Sequence, residues 1–273
     1  MKSIGKDELR KIMLDMLIQV DIFCKENNIT YYLDSGTLLG ALRHKGYIPW
    51  DDDMDICMPR PDYDRFISLV QKRKINGYIG ILVPQEGLFP FSKIVDTRTE
   101  LIEYPDTLRS KVNIYIDLFP KDGLPGDLRR ASWICKRAKM YADLYWFNKY
   151  SIHVWKKQNN IAKKVIAHIF SPLFADSTFP LKRCLRLAKK TGYETSKYVA
   201  TIVAGGMHNC VPKSCFESGV QVEFEGHTFM APIGYDQYLR TLYSHINNGD
   251  YMMLPKEEQK IIHNTEMYWK DGY

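Results

Sequence analysis

Four carboxylates, Asp51, Asp52, Asp53 and Asp55, fall within five residues, between Trp50 and the apolar run that begins at Ile56. Two unit charges ~4 Å apart repel by roughly 4 kcal/mol at an effective dielectric of ~20, so such a group must be solvated, partly protonated or neutralised by a cation. In an extended chain side chains alternate, which sets Asp51, Asp53 and Asp55 on one face and Asp52 and Met54 on the other. Three carboxylates on one face suit a hard divalent cation, which takes oxygen ligands. A solvated acidic turn is the plainer account of any acidic cluster, so the neighbouring residues have to decide. A calcium loop is disfavoured. Asp51, Asp53, Asp55 and Asp62 have the right spacing, but Ile56 stands where such a loop needs glycine, and Pro59 and Pro61 follow.

Two further features raise the chemical reading. Upstream, Asp34-Ser35-Gly36-Thr37 opens an apolar stretch that ends in Arg43-His44-Lys45-Gly46, the pattern of a capped short helix. A glycine turn entering a helix offers N–H groups and a positive dipole end to a phosphate, and Thr37 adds a hydroxyl. Downstream, Val112 to Pro120 alternates: Val112, Ile114 and Ile116 face one way, and Asn113, Tyr115 and Asp117 the other. A phosphate cradle, an Asp-x-Asp strand and a third carboxylate on a later strand are the parts used by two-metal phosphoryl chemistry.

The elements that must carry these residues are legible in outline. Leu9, Ile12, Met13, Met16, Leu17, Val20 and Phe23 recur at helical spacing and predict an amphipathic helix over 6–27. Ile29 to Leu33 reads as a short strand before the glycine turn. Asp55 to Met58 reads as a strand ended by Pro59 and Pro61, with a helix from Asp62 to about Gln71. Weaker strands are expected near 79–83 and 92–95, and helices over 128–150 and 160–170. A hairpin over 222–229 and a helix from Tyr235 to about His245 complete the pattern.

At this point the string SGTLLGALRHKGYIPWDDDMDICMPRPDYDRF, Ser35 to Phe66, resembles the signature of the LicD family of phosphotransferases, relatives of the fukutin-related proteins. The resemblance extends through YIDLFPKDGLP at Tyr115–Pro125 and, more loosely, GDYMMLPKEEQ at Gly249–Gln259. It implies an α/β fold with a nucleotidyltransferase-like core and a mixed sheet. It also implies a CDP-alcohol donor and transfer of its phospho-alcohol, often phosphocholine, to a sugar hydroxyl of a cell-surface glycan or teichoic acid precursor, with CMP released. Carried over, Asp53 and Asp55 are the metal-binding pair, Asp117 the third carboxylate and Asp51 an accessory, with two Mg²⁺ or Mn²⁺ ions as cofactors. Gly36, Thr37, Arg43 and Trp50 fall on the donor side. Trp50 is the aromatic face nearest the acids for a choline ammonium. Asp51 or Asp117 would take the acceptor's proton. In most relatives the C-terminal tyrosine and glycine adjoin, whereas here Tyr243 and Gly249 are separated by Ser-His-Ile-Asn-Asn. Transfer of ribitol or glycerol phosphate is the second function, and a non-catalytic metal-binding glycan module the reading from another class.

Composition bounds the setting. No apolar run approaches the ~20 residues of a membrane span, and MKSIGKDELRK lacks an apolar stretch behind its basic residues, so a cytoplasmic protein is expected. Six cysteines without a CxxC pair read as small buried hydrophobes. The net charge of +6 is unevenly spread: residues 126–197 carry 16 Lys and Arg against 4 Asp and Glu. The expected organisation is thus a catalytic core in 1–125, a basic helical segment in 126–197, and a segment in 198–273 that completes the site. The basic segment, with Lys156, Lys157, Lys163 and Lys164 beside an apolar stripe, suits peripheral contact with an anionic membrane, where a lipid-linked glycan acceptor is found. No nucleic-acid partner is expected.

Overall fold

The computed structural model describes residues 2–104, 109–151, 161, 165, 177–244, 250–253 and 265–273. The first helix, α1 (Lys6–Glu26), buries Leu9, Ile12, Met13, Met16, Leu17 and Val20 against the sheet, as its spacing predicts. Each such side chain contributes about 1.5–3 kcal/mol when fully buried. The strand expected over 29–33 is shorter. Asn28 takes a left-handed φ of 51°, the Ile29 N–H returns to Cys24 O, and the Thr30 N–H goes to Asp62 Oδ2, which leaves only Tyr32–Leu33 to pair.

The order after a short N-terminal strand, β1 (Lys2–Ser3), is β2 (Tyr32–Leu33), α2 (Ser35–His44), β3 (Asp55–Pro59), α3 (Arg60–Lys72), β4 (Ile79–Leu82), β5 (Ser92–Glu103) and β6 (Ser110–Leu124). Then come α4 (Leu128–Trp146), α5 (Phe179–Ala188), β7 (Tyr198–Ala200) and β8 (Val211–Pro212). The hairpin β9 (Gly219–Phe224) and β10 (His227–Pro232), helix α6 (Tyr235–Leu242) and β11 (Thr265–Trp269) follow. The main sheet runs β1-β11-β5-β6-β3-β2, with β4 beside β5 and β7 and β8 carried beyond β6. Only β3 and β6 pair in parallel; the other pairs among the described strands are antiparallel. The fold is therefore the expected α/β arrangement on a mixed sheet.

Several boundaries differ from expectation for local reasons. Pro61 sits in the first turn of α3, where its missing N–H is harmless, so the helix begins at Arg60 rather than Asp62. The left-handed residue that ends α2 is Lys45, not Gly46. Gly46 is instead the point where Glu225 approaches: a Cβ there would lie against the Glu225 carboxylate, which also accepts the Tyr47 N–H at 2.9 Å. Strand β5 runs on past an irregularity between Asp96 and Leu101 because β11 supplies it a second partner.

One apolar cluster draws on residues from Ile4 to Tyr251, and a second, under α4 and α5, on residues from Leu124 to Val203. The first and last thirds of the chain thus share one sheet and one core. Five of the six cysteines are buried and Cys210 is half-buried, all of them as thiols. Among the described residues no helix is long and apolar enough to cross a membrane. Of the expected helix over 160–170 only Ile161 and Val165 are described, both helical and exposed, while Lys156, Lys157, Lys163, Lys164 and Gly249 lie outside the described residues.

Candidate active site

The site is built on the parallel pair β3 and β6. Asp55 opens β3 and stands in register with Asp117 on β6, and Asp117 in turn stands opposite Lys93 on β5. Lys93, Asp117 and Asp55 therefore form a row across three neighbouring strands. The alternation read in β6 holds: Ile114, Ile116 and Leu118 are fully buried, while Tyr115 and Asp117 are half-buried on the other face.

Asp55 is pinned through its main chain. Its N–H donates to Thr37 Oγ1 at 2.8 Å, and its carbonyl accepts the Asp34 N–H at 3.0 Å. The turn into α2 thus grips the first residue of β3 on both sides. Thr37, expected as a phosphate ligand, is buried, and its oxygen already serves this joint. Burial pushes the Asp55 carboxyl well above the usual carboxylate range, and the charges of Asp53, Asp117, Asp34 and Asp51 push it further. Asp53 and Asp51 both act on Asp55 in this way.

Asp51 lies against the start of α2. A Cβ on Gly36 would come within 2.8 Å of Asp51 Oδ2, so the carboxylate occupies the space that a side chain would fill. The turn before it is held by Arg10 of α1, whose Nη2 donates to the carbonyls of Ile48 at 2.9 Å, Pro49 at 3.1 Å and Asp51 at 2.7 Å. Gly36→Ala is accordingly expected to displace the Asp51 carboxylate. A misplacement of ~1 Å can cost on the order of 10²-fold in rate, so kcat should fall by about that factor with the fold retained. A folded Gly36→Ala protein with wild-type kcat would remove Asp51 from the site.

Asp52 and Asp53 line a small cleft with Met13, Tyr115 and Met267, between α1 and the sheet. Arg43, expected on the donor side, donates through Nη1 to the carbonyls of Tyr251 at 3.1 Å and Met253 at 3.3 Å, and so ties α2 to the C-terminal motif. Trp50 is half-buried, packs on the main core and stands edge-on to His44, with ring centroids 6.3 Å apart.

The C-terminal segment returns to the site through two tyrosines. The Tyr243 phenol is pushed up by burial and then by the charges of Asp55, Asp34, Asp51 and Asp53. Tyr238 of α6 joins a buried group that sequence reasoning missed. Lys121 Nζ, fully buried on β6, donates to Asp34 Oδ2 at 2.8 Å, to the Tyr238 hydroxyl at 2.8 Å and to Thr201 Oγ1 at 3.1 Å. The Tyr238 hydroxyl donates to Asp34 Oδ1. Asp34 is the residue that caps α2, accepting the Ser35 N–H at 2.9 Å. The signal was present: in β6, Asp117, Phe119 and Lys121 alternate onto one face.

The whole length of the chain matches a known protein. It is 30% identical to the lipopolysaccharide cholinephosphotransferase LicD of Haemophilus influenzae over 98% of this chain and 99% of that one. The chain belongs to the LicD family. The family model described as LicD/FKTN/FKRP, nucleotidyltransferase domain, matches residues 28–152, which contain α2, the acidic stretch, β5 and β6. The human ribitol 5-phosphate transferase FKRP is 28% identical over 40% of this chain and 20% of its own length. Both relatives are transferases of a phospho-alcohol by name, and the strands that carry the acid row, β3, β5 and β6, lie within the nucleotidyltransferase-like match.

The donor set suits a hard divalent ion: the acids are oxygen ligands, Asp55 is buried among like charges, and a cation would relieve that repulsion. Among the described residues no three His, Cys, Asp or Glu side chains already converge on a point that a metal ion could fill.

Proposed function

We propose that the chain transfers phosphocholine from CDP-choline onto a sugar hydroxyl of a cell-surface glycan, with Asp53 and Asp55 holding a Mg²⁺ or Mn²⁺ ion. The observation that carries this reading is the in-register Asp55–Asp117 pair with Asp51 and Asp53 beside it, set against the start of α2, in a chain similar end to end to a cholinephosphotransferase.

The acceptor oxygen attacks the phosphorus that bears choline, the bond from that phosphorus to the bridging oxygen breaks, and CMP leaves with the electron pair. A divalent ion held by Asp53 and Asp55 would supply positive charge to the donor diphosphate. The chain's own residues do the rest. The N-terminus of α2, capped by Asp34, presents N–H groups beside Gly36 to the donor phosphates. The acceptor's proton goes to Asp51, because Asp117 already accepts from the Lys93 ammonium at 2.8 Å.

The similarity to a ribitol 5-phosphate transferase supports a second reading, transfer of a polyol phosphate. Incubation with CDP-choline, CDP-ribitol and CDP-glycerol in turn, with Mn²⁺ and a lipopolysaccharide or teichoic acid acceptor, separates the two. CMP release is expected to be fastest with CDP-choline. Preference for CDP-ribitol would move the assignment to the second reading, and pyrophosphate release from CTP and a phospho-alcohol would overturn both.

A further inference from the structure

We propose that Lys93 fills one cation position of the carboxylate row, so that the chain takes one divalent ion, on Asp53 and Asp55, rather than two. This rests on the metal-dependent reading above. Lys93 Nζ donates to Asp117 Oδ1 at 2.8 Å and lies 3.9 Å from Glu103 Oε1. The ammonium stands 3.2 Å from the centroid of the Tyr115 ring, 5.1 Å from that of Phe89 and 5.8 Å from that of Phe91. Tyr115 in turn donates its hydroxyl to Glu103 Oε1 at 2.8 Å. The residue is 4% exposed, on a strand paired along both edges.

A lysine at a protein surface shares its charge with water and moves freely. This one is fenced by two carboxylates and three ring faces, and the rings decide what the position can hold. Aromatic faces attract an ammonium through their quadrupole. They add nothing to the hold on Mg²⁺ or Mn²⁺, which take oxygen ligands, so while the lysine is present it wins Asp117 from a second ion. In a two-metal site the ions sit roughly 3.5–4 Å apart and share carboxylates. A second ion shared by Asp55 and Asp117 would have to stand beside the Lys93 ammonium and compete with it for Asp117. Lys93 therefore neutralises Asp117 permanently and sets a fixed positive charge at the end of the row. It is a positioning residue that acts through Asp117.

The test is the stoichiometry of Mn²⁺ binding to the full chain in the presence of CMP, read by equilibrium dialysis, with CMP release from CDP-choline measured in parallel. One Mn²⁺ per wild-type chain is expected. Asp117→Asn should keep that ion, with a loss of affinity below the about 10–100-fold that follows disturbance of a ligand's supporting shell, whereas Asp55→Asn should lose it. Lys93→Met should take up a second Mn²⁺ and Lys93→Arg should not. Two ions on the wild type, loss of binding in Asp117→Asn, or a folded Lys93→Met protein that still takes one would each overturn the assignment. If Lys93→Met does not fold, the wild type and Asp117→Asn decide alone. Two ions together with CMP release would sink the role of Lys93 and spare the transferase. Absence of both Mn²⁺ binding and CMP release would sink the reading on which it rests, and the assignment with it.

Discussion

Asp55→Asn is expected to lower CMP release by on the order of 10³-fold, because it removes a charge that acts at the transferring phosphoryl group, where loss of one electrostatic contact costs 10²–10³-fold or more. The fold should survive the change. What holds Asp55 in place is its main chain, through Thr37 Oγ1 and the Asp34 N–H, and neither bond involves the carboxylate. The side chain is 9% exposed with four acids acting on it, so replacing it with a neutral amide removes repulsion from the metal-free protein. The melting temperature without metal should therefore equal or exceed that of the wild type, while the rise on adding Mn²⁺ disappears. Asp53→Asn should behave in the same way, and Asp52→Asn, outside the charges that dominate at Asp55, should change turnover little. The measurements are a thermal melt with and without Mn²⁺ and a CMP-release assay. A folded Asp55→Asn protein with near wild-type release would refute the assignment.

The parts of this site that could be read in advance are those whose signal is local. The acidic stretch, the capped turn and the alternation in β6 each lie within about ten residues, and the structure keeps all three. What could not be read depends on pairing between distant segments. Lys93 meets Asp117 because β5 returns antiparallel to β6, at a register that no short window contains. In sequence, Ser92-Lys93-Ile94-Val95 shows only a lysine inside an apolar run. Arg10 reaches residues 48–51 from a helix that looks like plain scaffold, since its guanidinium serves carbonyls, which leave no mark in the sequence. The pairing of β1 and β11 was invisible for the same reason: Lys2–Ser3 is too short for any pattern, and Thr265–Trp269 becomes a strand only because the edge of β5 is there to receive it. The family resemblance reached the acidic residues on which the proposed chemistry rests. It did not reach the partners that hold them.

Lys121 is where that difference should cost most in stability. Lys121→Met is expected to destabilise the protein by about 3–5 kcal/mol, because it leaves Asp34 as a buried charge without its counter-ion. Lys121 and Asp34 are 0% and 1% exposed, and they are 87 residues apart in the chain, so no water and no local neighbour can stand in for the missing ammonium. For a chain of this size each kcal/mol corresponds to roughly 2–4 °C, which puts the fall in melting temperature at about 10 °C. The double change Lys121→Met with Asp34→Asn removes both charges and should recover most of the loss, since Asn caps a helix about as well as Asp and α2 keeps its acceptor for the Ser35 N–H. Tyr238→Phe keeps the ion pair and deletes one hydroxyl, with an expected cost of about 1–3 kcal/mol. The ordering Lys121→Met, then Tyr238→Phe, then the double variant, from least to most stable, can be read from urea unfolding at a single temperature. A double variant no more stable than Lys121→Met alone would show that the cost comes from lost packing around the lysine stem, and the ion pair would then have no claim to hold α2 at the site.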